Sequence, residues 1–296
     1  MKECKSRIPD LLNAPWAILP AKLQEIQAVY QSHLSGEILD LSQFEAKVAA
    51  ASADNTDDTP PYEVVDGVAI IPIQGTISRR MNLFSMFSGG VSTELLLRDF
   101  RSTLSDPSVD AILLYIDSPG GAVGGTSIIA DEIFAARGQK PILAYAADMM
   151  ASAAYWIGSA ADTIIAENTS VVGSIGVVTV HYDYSQSDAA AGVKRTYITA
   201  GKYKALGNNA EPLSLDARAE IESQLDYYYT MFVDAVARNR GTDAQTVLSD
   251  MADGRIFIGE QAQSAGLIDD IGTIDDALLA AMSRVESLKP SYLIRR

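Results

Sequence analysis

Ser152 is the residue whose surroundings most strongly suggest chemistry. It lies in DMMASAAYWIGSAAD, residues 148–162, among small and apolar neighbours. A strand is predicted to end just before it and a helix to start just after it. Free N–H groups and the helix dipole favour negative charge at such a position. The amide of Ala153 could therefore stabilise an oxyanion formed by attack of Ser152. The alternative is that Ser152 only caps the helix, which is the commoner role for a serine there.

A serine nucleophile needs a proton acceptor, which is usually a histidine and sometimes a lysine. The chain has two histidines, His33 near the front and His181 in the strand-like VVTVHYDY. Lys202 and Lys204 lie in ITAGKYKALGNNAEP. A lysine normally keeps its proton up to about pH 10, but burial in an apolar pocket lowers its pKa. Both lysines could equally be solvated surface charges, and the residue types alone do not choose among the four.

The segment IDSPGG, residues 116–121, is a second candidate. Pro119 fixes a turn, and Gly120 and Gly121 allow backbone conformations closed to other residues. Exposed N–H groups in such a turn can bind an anion or a developing oxyanion. Taken alone, an ordinary strand-to-helix turn is the simpler interpretation.

Strand-like and helix-like segments alternate around these positions. This alternation predicts crossover connections and a largely parallel α/β sheet. Functional sites of such sheets lie at the carboxyl ends of the strands, where both candidates fall. The predicted strands are GVAIIPIQGTI, VDAILLYIDSPGG, KPILAYAADM, TIIA and GSIGVVTVHYDY, and the predicted helices are ELLLRDFRSTLSD, GTSIIADEIFAARG, SAAYWIGSAAD and a long one from Ser214 to Gly241.

The front of the chain differs from the rest. An amphipathic helix is predicted from Pro20 to Gly36, followed by the small, acidic AAASADNTDDTPP, residues 49–61, which resembles a linker. We therefore expect two parts: residues 1–61, a helical segment and acidic linker, and residues 62–296, the main domain.

Composition excludes several classes of function. The net charge of −15 argues against nucleic acid as a partner. The single cysteine, Cys4, cannot form an internal disulfide, and no Cys/His cluster has the spacing of metal ligands. The first residues lack the apolar run of a signal peptide, and no stretch is long enough to cross a bilayer. We expect a cytoplasmic protein with no membrane anchor, metal or cofactor.

Six segments in order resemble the protease IV, or signal peptide peptidase A, family of Ser–Lys serine peptidases. They lie within residues 65 to 280 and are GVAIIPIQGTI, IDSPGG, MMASAAYWIGSAAD, VVGSIGVV, AGKYKALGNNAEPLS and DGRIFIGEQAQSAGLIDDIG. Each is weak by itself, but the ordered set is specific. The resemblance implies a Clp protease/crotonase-like superhelical β-β-α fold with a mostly parallel sheet, here with a short helical N-terminal appendage.

The resemblance also implies roles for particular residues. Ser152 matches the nucleophile and Lys204 the general base, whereas Lys202 matches a variable position. Ser174 of VVGSIG matches a serine that orients the lysine, and the amides of Gly121 and Ala153 match the oxyanion hole. His181 lies seven residues beyond Ser174, and we expect that it is not the base.

Within this family the front segment resembles the bacteriophage branch, whose members process capsid, portal or scaffold proteins during head assembly. The resemblance implies protein substrates in the bacterial host cytoplasm or inside procapsids. It also implies a homo-oligomer, ring-like in some relatives, with active sites shared between subunits. Three alternatives remain open: a housekeeping signal-peptide or oligopeptide peptidase, a crotonase-like acyl-CoA enzyme, and a non-catalytic head component.

Overall fold

The computed structural model describes residues 14–34, 62–80 and 90–288; the predicted linker, residues 49–61, lies outside them. The strands of these ranges are β1 (Trp16–Ile18), β2 (Glu63–Val65), β3 (Val68–Gln74), β4 (Thr76–Ser78), β5 (Gly90–Ser92), β6 (Ala111–Ser118), β7 (Gly120–Ala122), β8 (Ile142–Ala151), β9 (Thr163–Ala166), β10 (Val171–Gly173), β11 (Ile256–Ile258) and β12 (Asp270–Ile271). The helices are α1 (Pro20–Leu34), α2 (Thr93–Ser105), α3 (Thr126–Ala136), α4 (Ala153–Gly158), α5 (Ser185–Ala190), α6 (Leu215–Arg240), α7 (Ala244–Asp250), α8 (Glu260–Ser264) and α9 (Ile274–Leu288).

The large sheet has the order β11-β10-β8-β6-β3-β2, and β9 pairs with the first half of β8 and with β12. Only the β2–β3 and β10–β11 pairs in this sheet are antiparallel. The sequence-based prediction of an α/β fold with a mostly parallel sheet is therefore confirmed. Because β6, β8 and β10 run in parallel, their carboxyl ends lie side by side.

A small second sheet has the order β1-β7-β4-β5. Two of its strands directly follow strands of the large sheet: β4 follows β3 after Gly75, and β7 follows β6 after Pro119. The unit β6, β7 and α3 thus places one strand in each sheet before its helix. This arrangement carries the glycine turn of IDSPGG across the carboxyl edge of the large sheet.

The core occupies both faces of the large sheet. Alternate residues of β6 point to opposite faces, so that Ile112 and Leu114 join the larger cluster while Leu113 joins the smaller. The larger cluster also takes in buried residues of α2, α3, α4 and α6. Helix α9 covers the other face through Ala277 and Ala281. Burial on both faces explains why the strands are almost continuously apolar.

The front segment is paired with the small sheet. Strand β1 runs antiparallel to β7, and its Trp16 and Ile18 pack with Leu23 and Ile26 of α1. The predicted helix from Pro20 is present as α1. The division of the chain at residue 61 stays a prediction, although residues 14–34 pack closely on the remainder.

One predicted strand, GSIGVVTVHYDY, is mostly wrong. Regular strand structure covers only Val171–Gly173, and Val178 makes an isolated antiparallel bridge with Trp16. The cause is local, because Ser174 has φ of 53° and ends the strand. The other long elements are confirmed, including α6, whose Ser214 side chain accepts from the amide of Ala217 and whose Gly241 ends the helix in the left-handed conformation.

Candidate active site

Ser152 forms the turn between β8 and α4. Its backbone has φ of 55° and ψ of −117°, a strained conformation for a residue with a side chain. Its side chain makes no capping hydrogen bond to α4. The hydroxyl instead donates weakly to the carbonyl oxygen of Gly176, at 3.5 Å. A serine held on a sharp strand-to-helix turn without a capping role has the placement of a nucleophile.

The turn is held by hydrogen bonds and tight packing. The amide of Ser152 donates to Gly173 of the neighbouring strand at 2.7 Å, and its carbonyl accepts from Trp156 at 2.9 Å. Every residue of α4 is buried, and Trp156 stacks on Phe232 of α6 with ring centroids 4.5 Å apart. The small neighbours Ala151 and Ala153 are fully buried as well.

Arg137 supports the far end of α4, a role that the sequence reasoning missed. Its guanidinium donates to the carbonyl oxygens of Ser159, Ala160 and Ala161 at 2.6–3.1 Å, and to that of Asn239 in α6 at 3.0 Å. Carbonyls after a helix lack partners within it, and a planar guanidinium can satisfy several at once. No local sequence pattern signals this, because the acceptors are far along the chain.

The glycine turn lies directly against the serine turn, as their positions on neighbouring strand ends predict. A Cβ on Gly120 would lie 3.0 Å from the amide nitrogen of Ala153 and 2.9 Å from the carbonyl oxygen of Ala151. It would also collide with the carbonyl oxygen of Ala17 in β1. Gly120 has φ of 96°, so that only glycine fits here without strain.

Ser118 fixes the glycine turn and was also missed from the sequence. Its buried hydroxyl donates to the carbonyl of Gly75 at 2.6 Å and accepts from the amide of Gly120 at 3.2 Å. The signal that could have found it is its place directly before Pro-Gly-Gly, where a serine hydroxyl can bond the backbone two residues on.

The remaining oxyanion candidate, Gly121, lies in β7 between two strands. Its Cα partners are Ile77 of β4 and Ala17 of β1. Gly121 and Ala153 therefore belong to two adjoining turns, and the structure brings these two predicted residues into one region.

Ser174 lies beside Ser152, at the end of the neighbouring strand. It directly follows Gly173, whose carbonyl accepts from the amide of Ser152, and its own amide donates to Arg255 at 2.7 Å. Ser174 is buried. Among the described residues other than glycine, only Ser152, Ser174 and Asp66 have positive φ, so backbone strain is concentrated at this site.

The candidate lysine makes no hydrogen bond with the serine within one chain. Lys204 lies in an exposed turn, and its ammonium makes no hydrogen bond or ion pair with any described residue. Lys202 is also exposed, with its ammonium 5.1 Å from the ring centre of Tyr203. Among the described residues, no hydrogen bond joins this exposed lysine to either of the two buried, strained serines.

The side chain of His181 bonds away from Ser152. His181 lies 3.1 Å, through its Nε2, from the carbonyl oxygen of Asn208. It lines a cavity of about 350 Å³ with Pro15, Val180 and residues of α6. His33 falls in α1, where its side chain is outside the described residues.

Acidic groups occur at the same carboxyl edge of the sheet. The pKa of Asp117, at the end of β6, is raised above its ordinary value by burial and secondarily by the charge of Asp148. In the described ranges, no three His, Cys, Asp or Glu residues are grouped so that they could hold a metal ion. None of the helices described is long and apolar enough to cross a membrane.

A strained serine turn packed against a glycine turn, on a mostly parallel α/β sheet, is the arrangement expected of a serine hydrolase, a class in which backbone amides can hold an oxyanion. Comparison of the sequence with known protein families identifies the family within this class. Residues 135–287, more than half of the chain, match the model of Peptidase family S49. The match includes Ser152, Ser174 and Lys204. The chain belongs to Peptidase family S49, a family of serine peptidases, as the resemblance implied.

Three individual proteins are similar to this chain over most of its length. Capsid assembly protease C of Escherichia phage lambda is 32% identical over 246 residues, covering 82% of this chain and 56% of that protein. Head-tail preconnector protein GP5 of Enterobacteria phage P21 is 33% identical over 226 residues, covering 76% and 45%. The chloroplastic serine protease SPPA of Arabidopsis thaliana is 32% identical over 220 residues, covering 74% and 32%. The chain thus spans about half the length of the phage relatives and a third of the plant one.

Proposed function

We propose that this chain is a serine endopeptidase with Ser152 as nucleophile and Lys204 as general base. The observation that carries the proposal is the strained, non-capping Ser152 packed beside the glycine turn. A serine that only capped α4 would have no reason to adopt φ of 55°.

The proposed reaction uses the two turns together. Neutral Lys204 takes the proton of Ser152 as its Oγ attacks a peptide carbonyl. The oxyanion is held by the amides of Gly121 and Ala153. The lysine then protonates the leaving amine, which breaks the peptide bond and leaves an acyl-enzyme. Water, deprotonated by the same lysine, releases the acid product and restores Ser152. We further propose that Ser174 orients the lysine.

This mechanism requires Lys204 to move or to come from another subunit. We propose the second, with a homo-oligomer that shares its sites between neighbours. Support comes from exposed apolar residues in the chain segment around the lysine and in the N-terminal half of α6, which is mostly exposed. Ile198 is 95% exposed and Leu215 86%, and Tyr203 and Tyr227 are exposed as well. Large exposed apolar side chains in these two segments are candidates for an interface between subunits.

We propose that the fold is the Clp protease/crotonase-like superhelix. The support is the repeated strand-strand-helix unit that places one strand in each sheet, seen for β6, β7 and α3.

For substrates, we propose capsid, portal or scaffold proteins in the host cytoplasm or the procapsid. The two phage relatives are named for capsid assembly and for the head-tail preconnector. The plant relative is named as a protease without such a role, which favours a housekeeping peptidase as the second candidate.

The test is intact-protein mass spectrometry after treatment with a peptidyl fluorophosphonate. Wild type should gain one adduct on Ser152, and Ser152→Ala and Lys204→Ala should gain none. Lys202→Ala is the matched control, because it removes a neighbouring exposed ammonium and should label normally. Labelling of Lys204→Ala at the wild-type rate would refute the lysine base. Stabilisation by coenzyme A without any labelling would favour an acyl-CoA enzyme.

A further inference from the structure

Strand β1 covers the amide that the proposed oxyanion hole requires. The register pairs Ala17 with Gly121. Two hydrogen bonds flank this pair: the amide of Leu19 donates to the carbonyl of Pro119 at 3.0 Å, and the amide of Val123 donates to the carbonyl of Pro15 at 3.4 Å. Bonded pairs alternate in an antiparallel ladder. The Ala17–Gly121 pair, two residues from each flanking bond, is therefore a bonded pair. The amide of Gly121 is directed at the carbonyl of Ala17.

The other edge of β1 is also paired. The amide of Trp16 donates to the carbonyl of Val178, and the amide of Val178 donates to the carbonyl of Trp16, both at 2.8 Å. Val178 lies two residues after Gly176, whose carbonyl accepts from the hydroxyl of Ser152. Strand β1 therefore fills a slot one strand wide, between β7 and Val178, beside the serine.

The position of the Ala17 carbonyl links this slot to the site chemistry. A Cβ built on Gly120 would lie within 3.0 Å of both the carbonyl oxygen of Ala17 and the amide nitrogen of Ala153, so that these two atoms lie close to the same point. A carbonyl beside both Gly121 and Ala153 is where the proposed mechanism puts the carbonyl of a substrate. The backbone of β1 thus takes the place of a peptide substrate.

Buried side chains on one face of β1 hold the strand. Trp16 and Ile18 are buried with Leu23 and Ile26 of α1, and they pack on Ala122, Val178 and Val180. Residues 35–61, outside the described ranges, join this segment to the rest of the chain. Because β1 pairs with β7 and Val178 and with no strand of the large sheet, it can leave without unfolding that sheet.

We propose that residues 15–19 are an internal blocking strand that occupies the peptide-binding slot of the enzyme and must leave before an extended peptide can bind. This inference rests on the proposed peptidase function. Strand addition depends on backbone hydrogen bonds, so that the slot accepts many sequences but only one strand at a time. Binding of β1 and binding of a substrate are then mutually exclusive.

The experiment inserts the recognition site of a specific protease after residue 45, outside the described ranges. The folded full chain is then nicked, with both pieces kept in solution. On dilution the front piece should dissociate, and hydrolysis of a fluorogenic peptide per molecule should rise at least tenfold. The intact chain at the same dilutions controls for subunit dissociation. A synthetic peptide of residues 14–34 should suppress the gain.

A proline at residue 17 provides the matched controls, since it removes the amide that bonds to Gly121. The 14–34 peptide carrying Ala17→Pro should inhibit at least tenfold more weakly. The full chain carrying Ala17→Pro should be more active than wild type without nicking. Equal activity of nicked, intact and Ala17→Pro chains at every dilution would overturn the blocking strand while leaving the peptidase function intact.

Hydrogen exchange separates failure of this inference from failure of the proposed function. The amides of Gly121 and Val178 should exchange faster in the nicked, diluted chain and slow again when the 14–34 peptide is added. If no form of the chain labels or hydrolyses, the peptidase proposal fails and exchange alone decides the strand. Exchange unchanged by nicking, or loss of the whole fold on nicking, would show that β1 is a permanent part of the sheet.

Discussion

Gly121→Ala tests whether the site is built as described, because the glycine turn must lie against two strands at once. A Cβ on Gly121 would collide with the backbone carbonyl of Ile77 in β4 and lie 2.6 Å from its backbone nitrogen and carbon. Backbone atoms in a paired strand cannot rotate away, unlike the end of a flexible side chain. Overpacking of this kind costs about 1–3 kcal/mol. We expect a loss near 3 kcal/mol, about 150-fold in the unfolding equilibrium constant.

Two other glycines provide matched controls for Gly121→Ala. A Cβ on Gly124 meets no atom within 4 Å, so that Gly124→Ala changes composition without a collision. Gly138 has φ of 84° with equally open space, and Gly138→Ala therefore isolates the cost of the backbone conformation, about 1–2 kcal/mol. Urea unfolding followed by tryptophan fluorescence gives all three values. Equal stability of Gly121→Ala and Gly124→Ala would show that β7 does not pack on β4, and the proposed oxyanion geometry would fall with it.

Three further predictions concern the supports of the site. Although burial alone would raise it, the pKa of Asp269 is held below its ordinary value by the hydrogen bond and charge of Arg240 and by the amide of Ile164. Asp269→Asn should therefore cost about 1 kcal/mol above pH 5, where the carboxylate is charged in both folded and unfolded chains, because its side chain is 38% exposed and solvent weakens the ion pair. This difference should shrink as the pH falls below about 4, where the unfolded carboxyl takes up a proton first, and it should be lost at the lower pH where the folded carboxyl is protonated as well; a constant difference from pH 3 to 7 in urea unfolding would contradict it. Arg137→Lys should cost about 2 kcal/mol, since an ammonium cannot reach four carbonyls, and should slow fluorophosphonate labelling; an unchanged unfolding midpoint would refute the bracing role. Ser152→Ala should change stability by less than about 1 kcal/mol, because its hydroxyl makes a single contact of 3.5 Å, and a larger loss in thermal unfolding would argue for a structural serine.

Periodicity was sufficient to predict the central strands β3, β6 and β8 of the large sheet and the helices α2, α3, α4 and α6 on one of its faces, but not α9 on the other face. The strands β3, β6 and β8 are largely runs of apolar residues, and β6 and β8 are buried on both faces along most of their length, whereas β3 exposes Pro72 and Gln74 near its end. The site region followed from the same reasoning, because strand ends meet at one edge of a parallel sheet. Local patterns did not reveal Arg137, since its acceptors are 22 to 102 residues away. They also failed at Ser174, whose positive φ interrupts an otherwise strand-like run.

The front segment shows a different limit of sequence reasoning. PWAILP contains three strand residues between two prolines, too short for any alternation to be recognised. Its structure is determined by the partners on either side, since β1 pairs with β7 along one edge and with Val178 along the other. A segment whose conformation comes from a slot, and not from its own pattern, can be replaced there by another extended chain. The same property that hid β1 from the sequence is therefore the one that a blocking strand needs. Competition between the 14–34 peptide and a substrate peptide for the slot would test this replacement directly. We expect the 14–34 peptide to raise the apparent KM for the substrate at constant kcat. A fall in kcat at constant KM would place the binding site of the segment elsewhere.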